Sequence, residues 1–191
     1  MSNSYKHCNL LYVDDELNNL ISFKATFRQH YTIHIAKSAE EGMEILKTTP
    51  IQTIITDQRM PEVTGVQFLE QVIPHYPDPV RMILTGFSDI EDIIQAINTG
   101  RVFRYISKPW DYHELKMTID NAMQMYLLQQ SNKERLASLE QQVTKQAHII
   151  ETFKPYVPHG IVQQLLGVWV RFPPQYKDVM TRDFKMFSHI L

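Results

Sequence analysis

Apolar and polar positions follow two rhythms along this chain. Asn9-Leu10-Leu11-Tyr12-Val13 is a short apolar run that stops at Asp14-Asp15, and from Glu16 onward Leu17, Leu20, Ile21, Phe23, Lys24 and Phe27 recur at helical spacing. This predicts strand, acidic loop, helix. Residues 31–36 are rich in β-branched side chains, Ser38 is placed to cap a helix carrying Met43, Ile45 and Leu46, and Pro50 closes that helix. Residues 52–56 and 80–84 read as buried strands, separated by a helix over about residues 65–73 and a loop with Pro74, Pro77 and Pro79. A helix is predicted over 89–99 from the stripe Ile90, Ile93, Ile94 and Ile97, with Gly100 as its C-cap. Arg104-Tyr105-Ile106 is the fifth strand, and another helix begins after Pro109.

Strands alternating with helices predict an α/β fold with a parallel sheet covered on both faces, because parallel neighbours require crossovers of helix length. In such sheets ligands collect beyond the carboxyl ends of the strands. Asp14 and Asp15 follow the first strand, Asp57 ends the third, Thr85 ends the fourth and Lys108 follows the fifth. All five are therefore placed on one edge, although nearly a hundred residues separate the first from the last.

Composition narrows the class without changing the fold. The chain has 191 residues, enough for one well-buried domain with a smaller appendage, and its 43% hydrophobic and 21% charged content is globular. With 19 basic and 21 acidic residues the formal charge is -2, which gives no overall nucleic-acid signal. Cys8 is the single cysteine, so neither an intramolecular disulfide nor a cysteine-based zinc cluster is available. The amino terminus lacks a charged leader followed by an apolar stretch, and no run is apolar enough to span a membrane. The expectation is a soluble, cytoplasmic protein without direct nucleic-acid or membrane contacts.

Three carboxylates in one crevice repel one another and favour a divalent cation between them. All-oxygen ligation with room for water suits Mg2+, or Mn2+, better than zinc. In that setting Asp57 is a carboxylate nucleophile toward phosphorus, Lys108 offers a point charge to a phosphoryl oxygen, and the Thr85 hydroxyl offers a hydrogen bond to another. Gly86 leaves space for the group to enter. The chemistry these parts permit is transient acyl phosphate formation.

The stretches LLYVDDE, IITDQRMPEVTG, MILTG and YISKPWD together resemble the receiver domain of bacterial two-component response regulators, over roughly residues 8–128. The resemblance implies a doubly wound, flavodoxin-like five-stranded parallel sheet of order 2-1-3-4-5. It also implies Asp57 as phosphoacceptor, Asp14 and Asp15 as metal-binding acids, and the backbone carbonyl of Arg59 as a further metal ligand. Thr85 and Lys108 become phosphoryl contacts, Tyr105 an aromatic switch, and Lys108-Pro109 a cis peptide. The implied partner is a sensor histidine kinase or phosphotransfer protein. Phosphorylation then acts as a two-state shift in which Thr85 moves toward the phosphoryl group and Tyr105 turns inward.

From Ala122 the helical pattern continues through Met125, Gln129, Asn132, Leu136, Leu139, Val143, Gln146, Ile150 and Phe153 at alternating three-four spacing. This predicts an extended C-terminal coiled-coil helix and a parallel homodimer, with Leu136, Leu139, Val143 and Ile150 as its seam; a lone surface helix is the alternative. Gln129, Asn132 and Gln146 at seam positions weaken the coil while fixing its register. The predicted organisation is a receiver domain over 1–128, a dimerisation helix over 129–153 and a short segment over 154–191.

FKPYVPHGIVQQLLG, at 153–167, resembles the lead-in to a class III adenylate or guanylate cyclase domain, and KDVMTRDFKMFSHIL echoes the metal-binding pattern that follows in that family. Met186 departs from a glycine of that pattern, and the alternative is an end punctuated by Pro155, Pro158, Pro173 and Pro174. The expectation is therefore a phosphorylation-controlled response regulator without a complete catalytic output domain. The runner-up is the regulatory part of a nucleotide cyclase or cyclic-dinucleotide phosphodiesterase.

Overall fold

The computed structural model describes residues 5–86, 94, 97 and 101–153, with Ile150 and Phe153 described through their backbone alone. The chain divides into two units, Met1–Lys133 and Glu134–Leu191. The first contains five strands: β1 (Asn9–Val13), β2 (Thr32–Ala36), β3 (Thr53–Asp57), β4 (Val80–Thr85) and β5 (Arg104–Ser107). Its described helices are α1 (Leu17–Phe27), α2 (Ala39–Thr48), α3 (Gly65–Val72) and the start of α4 (Tyr112–Phe153). The helix predicted over 89–99 and the cap at Gly100 lie outside the described residues, apart from Ile94 and Ile97, which are both helical.

All four strand pairings are parallel, and the order is β2-β1-β3-β4-β5, as the resemblance implies. Alternation along each strand sorts the core into two layers. Leu10, Tyr12, Ile55, Met82 and Leu84 face a cluster with Leu20, Phe23, Phe27, Leu115, Ile119 and Met123, so α1 and α4 cover that side. Leu11, Val13, Ile54 and Ile83 face Leu46, Phe68, Leu69 and Val72, so α2 and α3 cover the other. Both faces of β3 are occupied, and each of its five residues is buried. That is why Ile54 and Ile55 stand side by side in its sequence rather than alternating with exposed polar residues.

The caps explain where the helices begin. The Ser38 hydroxyl accepts from the Glu41 N–H at 3.2 Å. Thr64 and Gln67 form a reciprocal capping box ahead of α3. The Asp111 carboxylate accepts from the N–H groups of His113 and Glu114 at 2.8 and 3.0 Å, which fixes the entry to α4 just after Lys108. Further along α4, Lys133 pairs with Asp78 in the loop before β4. Among the described residues no helix is long and apolar enough to cross a membrane.

Candidate functional site

Because β1, β3, β4 and β5 run parallel, their carboxyl ends share one edge, and the chain leaves that edge at Asp14, Asp57, Thr85 and Lys108. Asp57 is the last residue of β3 and is only 7% exposed, so the acid that closes this strand is itself buried at the edge. Its Oδ2 accepts from the Arg59 N–H at 2.6 Å, and its Oδ1 pairs with Lys108 Nζ. The same Nζ lies 3.0 Å from Asp14 Oδ2. One ammonium thus bridges two carboxylates that reach the edge from different strands.

The two acids are shifted in opposite directions although both are buried. Burial raises the Asp57 carboxyl above its ordinary range, and that effect outweighs the opposing pull of Lys108 and the Arg59 N–H. Burial pushes Asp14 the same way, but hydrogen bonds from Tyr12, Lys108, the Glu16 N–H and Asn19 together outweigh it and bring Asp14 below its ordinary value. Lys108 is lowered by its own burial, yet the bonds to Asp57 and Asp14 win and hold it above its usual range. The edge therefore holds a firmly ionised Asp14, a firmly charged Lys108, and a strained anion at Asp57.

The neighbouring backbone is built around Asp57. The Gln58 N–H donates to the Leu84 carbonyl at 3.0 Å, the Gly65 N–H donates to the Gln58 carbonyl at 3.0 Å, and the Gln58 side chain accepts from the Val66 N–H at 3.1 Å. Between them, Glu62 adopts a left-handed φ of 68°, and the Val63 N–H closes onto the Pro61 carbonyl at 2.7 Å in a γ-turn. Lys108 is placed by its own N–H, which donates to the Thr85 carbonyl at 2.7 Å, and the Lys108-Pro109 bond is cis.

The other sequence-predicted residues take distinct places. Asp15 is exposed beside buried Asp14. Thr85 is 2% exposed, and its hydroxyl donates to the Gly86 carbonyl at 2.9 Å, not to Asp57. Tyr105 is 38% exposed on β5. Gly86 has open space where a side chain would stand. Among the described residues no three Asp, Glu, His or Cys side chains form a ready metal cage. The donors that are present, buried Asp14 and Asp57, exposed Asp15 and the Arg59 carbonyl, are all oxygens and fit a hard divalent cation by chemistry.

Sequence reading missed Tyr12, Asn19 and Gln58. Tyr12 stands two residues before Asp14 in extended backbone, a spacing that puts both side chains on one side. Its hydroxyl donates to Asp14 Oδ2 at 2.5 Å. Asn19 sits on the first turns of α1 and donates to both Asp14 oxygens, at 3.0 and 3.1 Å. That spacing of two was the available signal for Tyr12; for Asn19 and Gln58 the sequence carries none.

Comparison with known proteins agrees with this fold. The model of the response regulator receiver domain matches residues 10–120. The hydrogenase transcriptional regulatory protein HoxA of Bradyrhizobium diazoefficiens is 34% identical over 82% of this chain and 31% of its own length. HoxA of Cupriavidus necator is 36% identical over 66% of this chain and 26% of its own. The chain thus spans about a third or less of these curated relatives. Among solved structures, a response regulator receiver domain protein from Clostridium thermocellum superposes with a TM-score of 0.61 at 29% identity, covering 64% of this chain and 98% of that one. A structure described as adenylate cyclase from Rhodopirellula baltica gives 0.65 at 29% identity, over 67% of this chain and 96% of that one.

Proposed function

The chain belongs to the response regulator receiver domain family, and from that premise we propose that Asp57 is the phosphoacceptor through which this protein takes part in phosphorelay signalling. The observation that carries the assignment is the Lys108 ammonium bridging Asp14 and Asp57 at the carboxyl edge of the sheet. An Asp57 oxygen attacks the phosphorus of the donor, the bond from phosphorus to the donor's leaving group breaks, and an acyl phosphate forms on Asp57. Lys108 is already within reach of both acids and follows the new phosphoryl oxygens as a point charge. The Thr85 hydroxyl exchanges its bond to the Gly86 carbonyl for one to the phosphoryl group, and the exposed Tyr105 ring turns into the space this opens. Asp14, Asp15, Asp57 and the Arg59 carbonyl are the donors that would hold a Mg2+ or Mn2+ ion, which would supply neutralisation of phosphoryl charge there.

Receiver domains take their phosphoryl group from a histidine kinase or phosphotransfer protein, and we assign the same class of upstream partner here. Acetyl phosphate with Mg2+ is a sufficient donor for the test: the wild-type intact mass should rise by one phosphoryl group, located by peptide mapping on Asp57. An unchanged mass rejects the assignment.

The second unit carries the proposed output contact. Leu136, Leu139 and Val143 are 61%, 56% and 57% exposed, a level at which their apolar surface remains largely in water. Their three-four spacing places them on one stripe of α4, with Ile150 continuing it in sequence. In a parallel, in-register pair the flanking Arg135 of one chain faces Glu140 of its partner, so charge as well as apolar pattern fits a second copy. Leu139→Asn removes a buried side chain worth about 2 kcal/mol from each helix, about a thousandfold in dissociation constant for the pair. Sedimentation should show a wild-type dimer and a monomeric variant at the same concentration; monomers in both eliminate the coil.

A further inference from the structure

Asp14 holds more donors than its place beside Lys108 requires. It is 1% exposed, and its Oδ2 receives the Tyr12 hydroxyl at 2.5 Å, Lys108 Nζ at 3.0 Å and Asn19 Nδ2 at 3.1 Å. Its Oδ1 receives the Glu16 N–H at 2.9 Å and Asn19 Nδ2 at 3.0 Å. A carboxylate offers about four acceptor sites, so this one is filled. Three of its partners, Tyr12, Asn19 and the Glu16 backbone, are neutral.

We propose that Tyr12 and Asn19 are positioning residues for phosphoryl transfer, which saturate Asp14 with neutral donors so that Lys108 is shared with Asp57 instead of captured by Asp14. The proposal rests on Asp57 being the phosphoacceptor. Its physical basis is competition for one cation. A buried carboxylate with few neutral donors attracts a nearby ammonium strongly, because the interaction is poorly screened there. Hydrogen bonds from uncharged groups satisfy the anion without bringing positive charge, which leaves the ammonium free to bridge toward the weaker acid. The Tyr12 hydroxyl is the shortest of these donors and binds the very oxygen that Lys108 touches.

Tyr12 is well held for this work. Its ring is 1% exposed and stacks on Phe23 with centroids 4.2 Å apart, so the hydroxyl position is set by the core and not by the site. Asn19 is less enclosed. It lines, with Tyr12, Ser22, Lys108, Pro109 and Trp110, a cavity of about 350 Å³. Water entering there can substitute for the Asn19 amide, whereas the bond from Tyr12 to Asp14 lies on the buried side. Tyr12 therefore carries the larger share of the effect.

The test uses the full chain, acetyl phosphate at saturating Mg2+, and calorimetric titration with Mg2+ alone. Tyr12→Phe keeps the ring and deletes the donor. Labelling of Asp57 should slow about tenfold, the scale of one charge-assisted hydrogen bond, while Mg2+ binds more tightly because Lys108, drawn to Asp14, leaves the Asp57 Oδ1 open to the cation. Asn19→Ala should move both quantities in the same directions by less, and it serves as the second variant should Tyr12→Phe fold poorly. Simple loosening of the site would weaken Mg2+ binding and labelling together, so that result overturns the proposal, as does an unchanged labelling rate in both variants. Absence of labelling in the wild type overturns the Asp57 assignment itself; labelling in the wild type with unaltered variants overturns only the positioning role.

Discussion

Asp57→Asn is expected to abolish phosphorylation completely and, at neutral pH, to raise the melting temperature. The loss follows from removing the nucleophilic oxygen. The gain follows from the sign of the Asp57 shift. Burial holds its carboxyl above the ordinary value, with repulsion from Asp14 adding to it, and Lys108 and the Arg59 N–H only partly compensate. A group whose folded value is raised binds its proton more tightly folded than unfolded. Stability therefore increases as pH falls through the folded value toward the ordinary one, and the full cost of the charge is present above the folded value. Asn removes that cost, and Lys108 keeps Asp14 at 3.0 Å. For a chain of this size each kcal/mol relieved is worth about 2–4 °C. Thermal melts of both proteins at pH 7.5 and at a pH below the folded value check the sign: the difference should be positive at the first and shrink at the second. A variant that melts lower than wild type at neutral pH would show that Lys108 outweighs desolvation. Asp14 runs the other way, since its stabilising contribution is present above the ordinary carboxylate value and is lost as pH falls through its lowered folded value.

Gly65→Ala is expected to be among the most damaging single-methyl changes near the site. A Cβ at Gly65 would meet the Asp57 carbonyl oxygen far inside van der Waals contact, and would also stand 3.1 Å from the Asp57 carbonyl carbon and from Gln58 Cα. These obstacles are backbone, not flexible side-chain ends, so the strand end or the start of α3 must move. The Gly65 N–H bond to the Gln58 carbonyl, which ties the two together, moves with them. Overpacking of this kind costs about 3 kcal/mol or more, about 6–12 °C in a chain of this length. Because the displaced backbone belongs to Asp57, labelling by acetyl phosphate should fall at least as steeply as stability, even at temperatures where the variant is folded. Gly86→Ala is the matched comparison: nothing stands within 4 Å of its added carbon, and its melting temperature should stay near wild type. Equal melting temperatures for Gly65→Ala and Gly86→Ala would contradict the close backbone approach.

The strands and the edge residues were legible because their signals are local or combinatorial. β1 spans the five residues its apolar run predicts, and β3 reads as doubly covered because both sheet faces are occupied. β3 extends one residue further than the apolar run, to include Asp57, since a strand end at the edge can carry a charge that the strand interior cannot. The capping box at Thr64 and Gln67 is readable in principle, being a three-residue spacing ahead of an apolar helix. The Asp14-Asp15 pair was legible as a candidate site and illegible in how its two acids differ. Adjacent acids look alike in sequence, whereas the fold buries Asp14 among donors and leaves Asp15 exposed.

By itself the sequence determined the parallel α/β class, the edge on which Asp14, Asp15, Asp57, Thr85 and Lys108 gather, and the apolar stripe of α4, because hydrophobic period and strand direction are properties of the chain alone. Tertiary structure decided which acid is ionised at ease and which is strained, where the Thr85 hydroxyl points, and that Tyr12 and Asn19 complete Asp14. Those outcomes depend on burial and on distances between groups from different elements, and both arise only when the elements have packed.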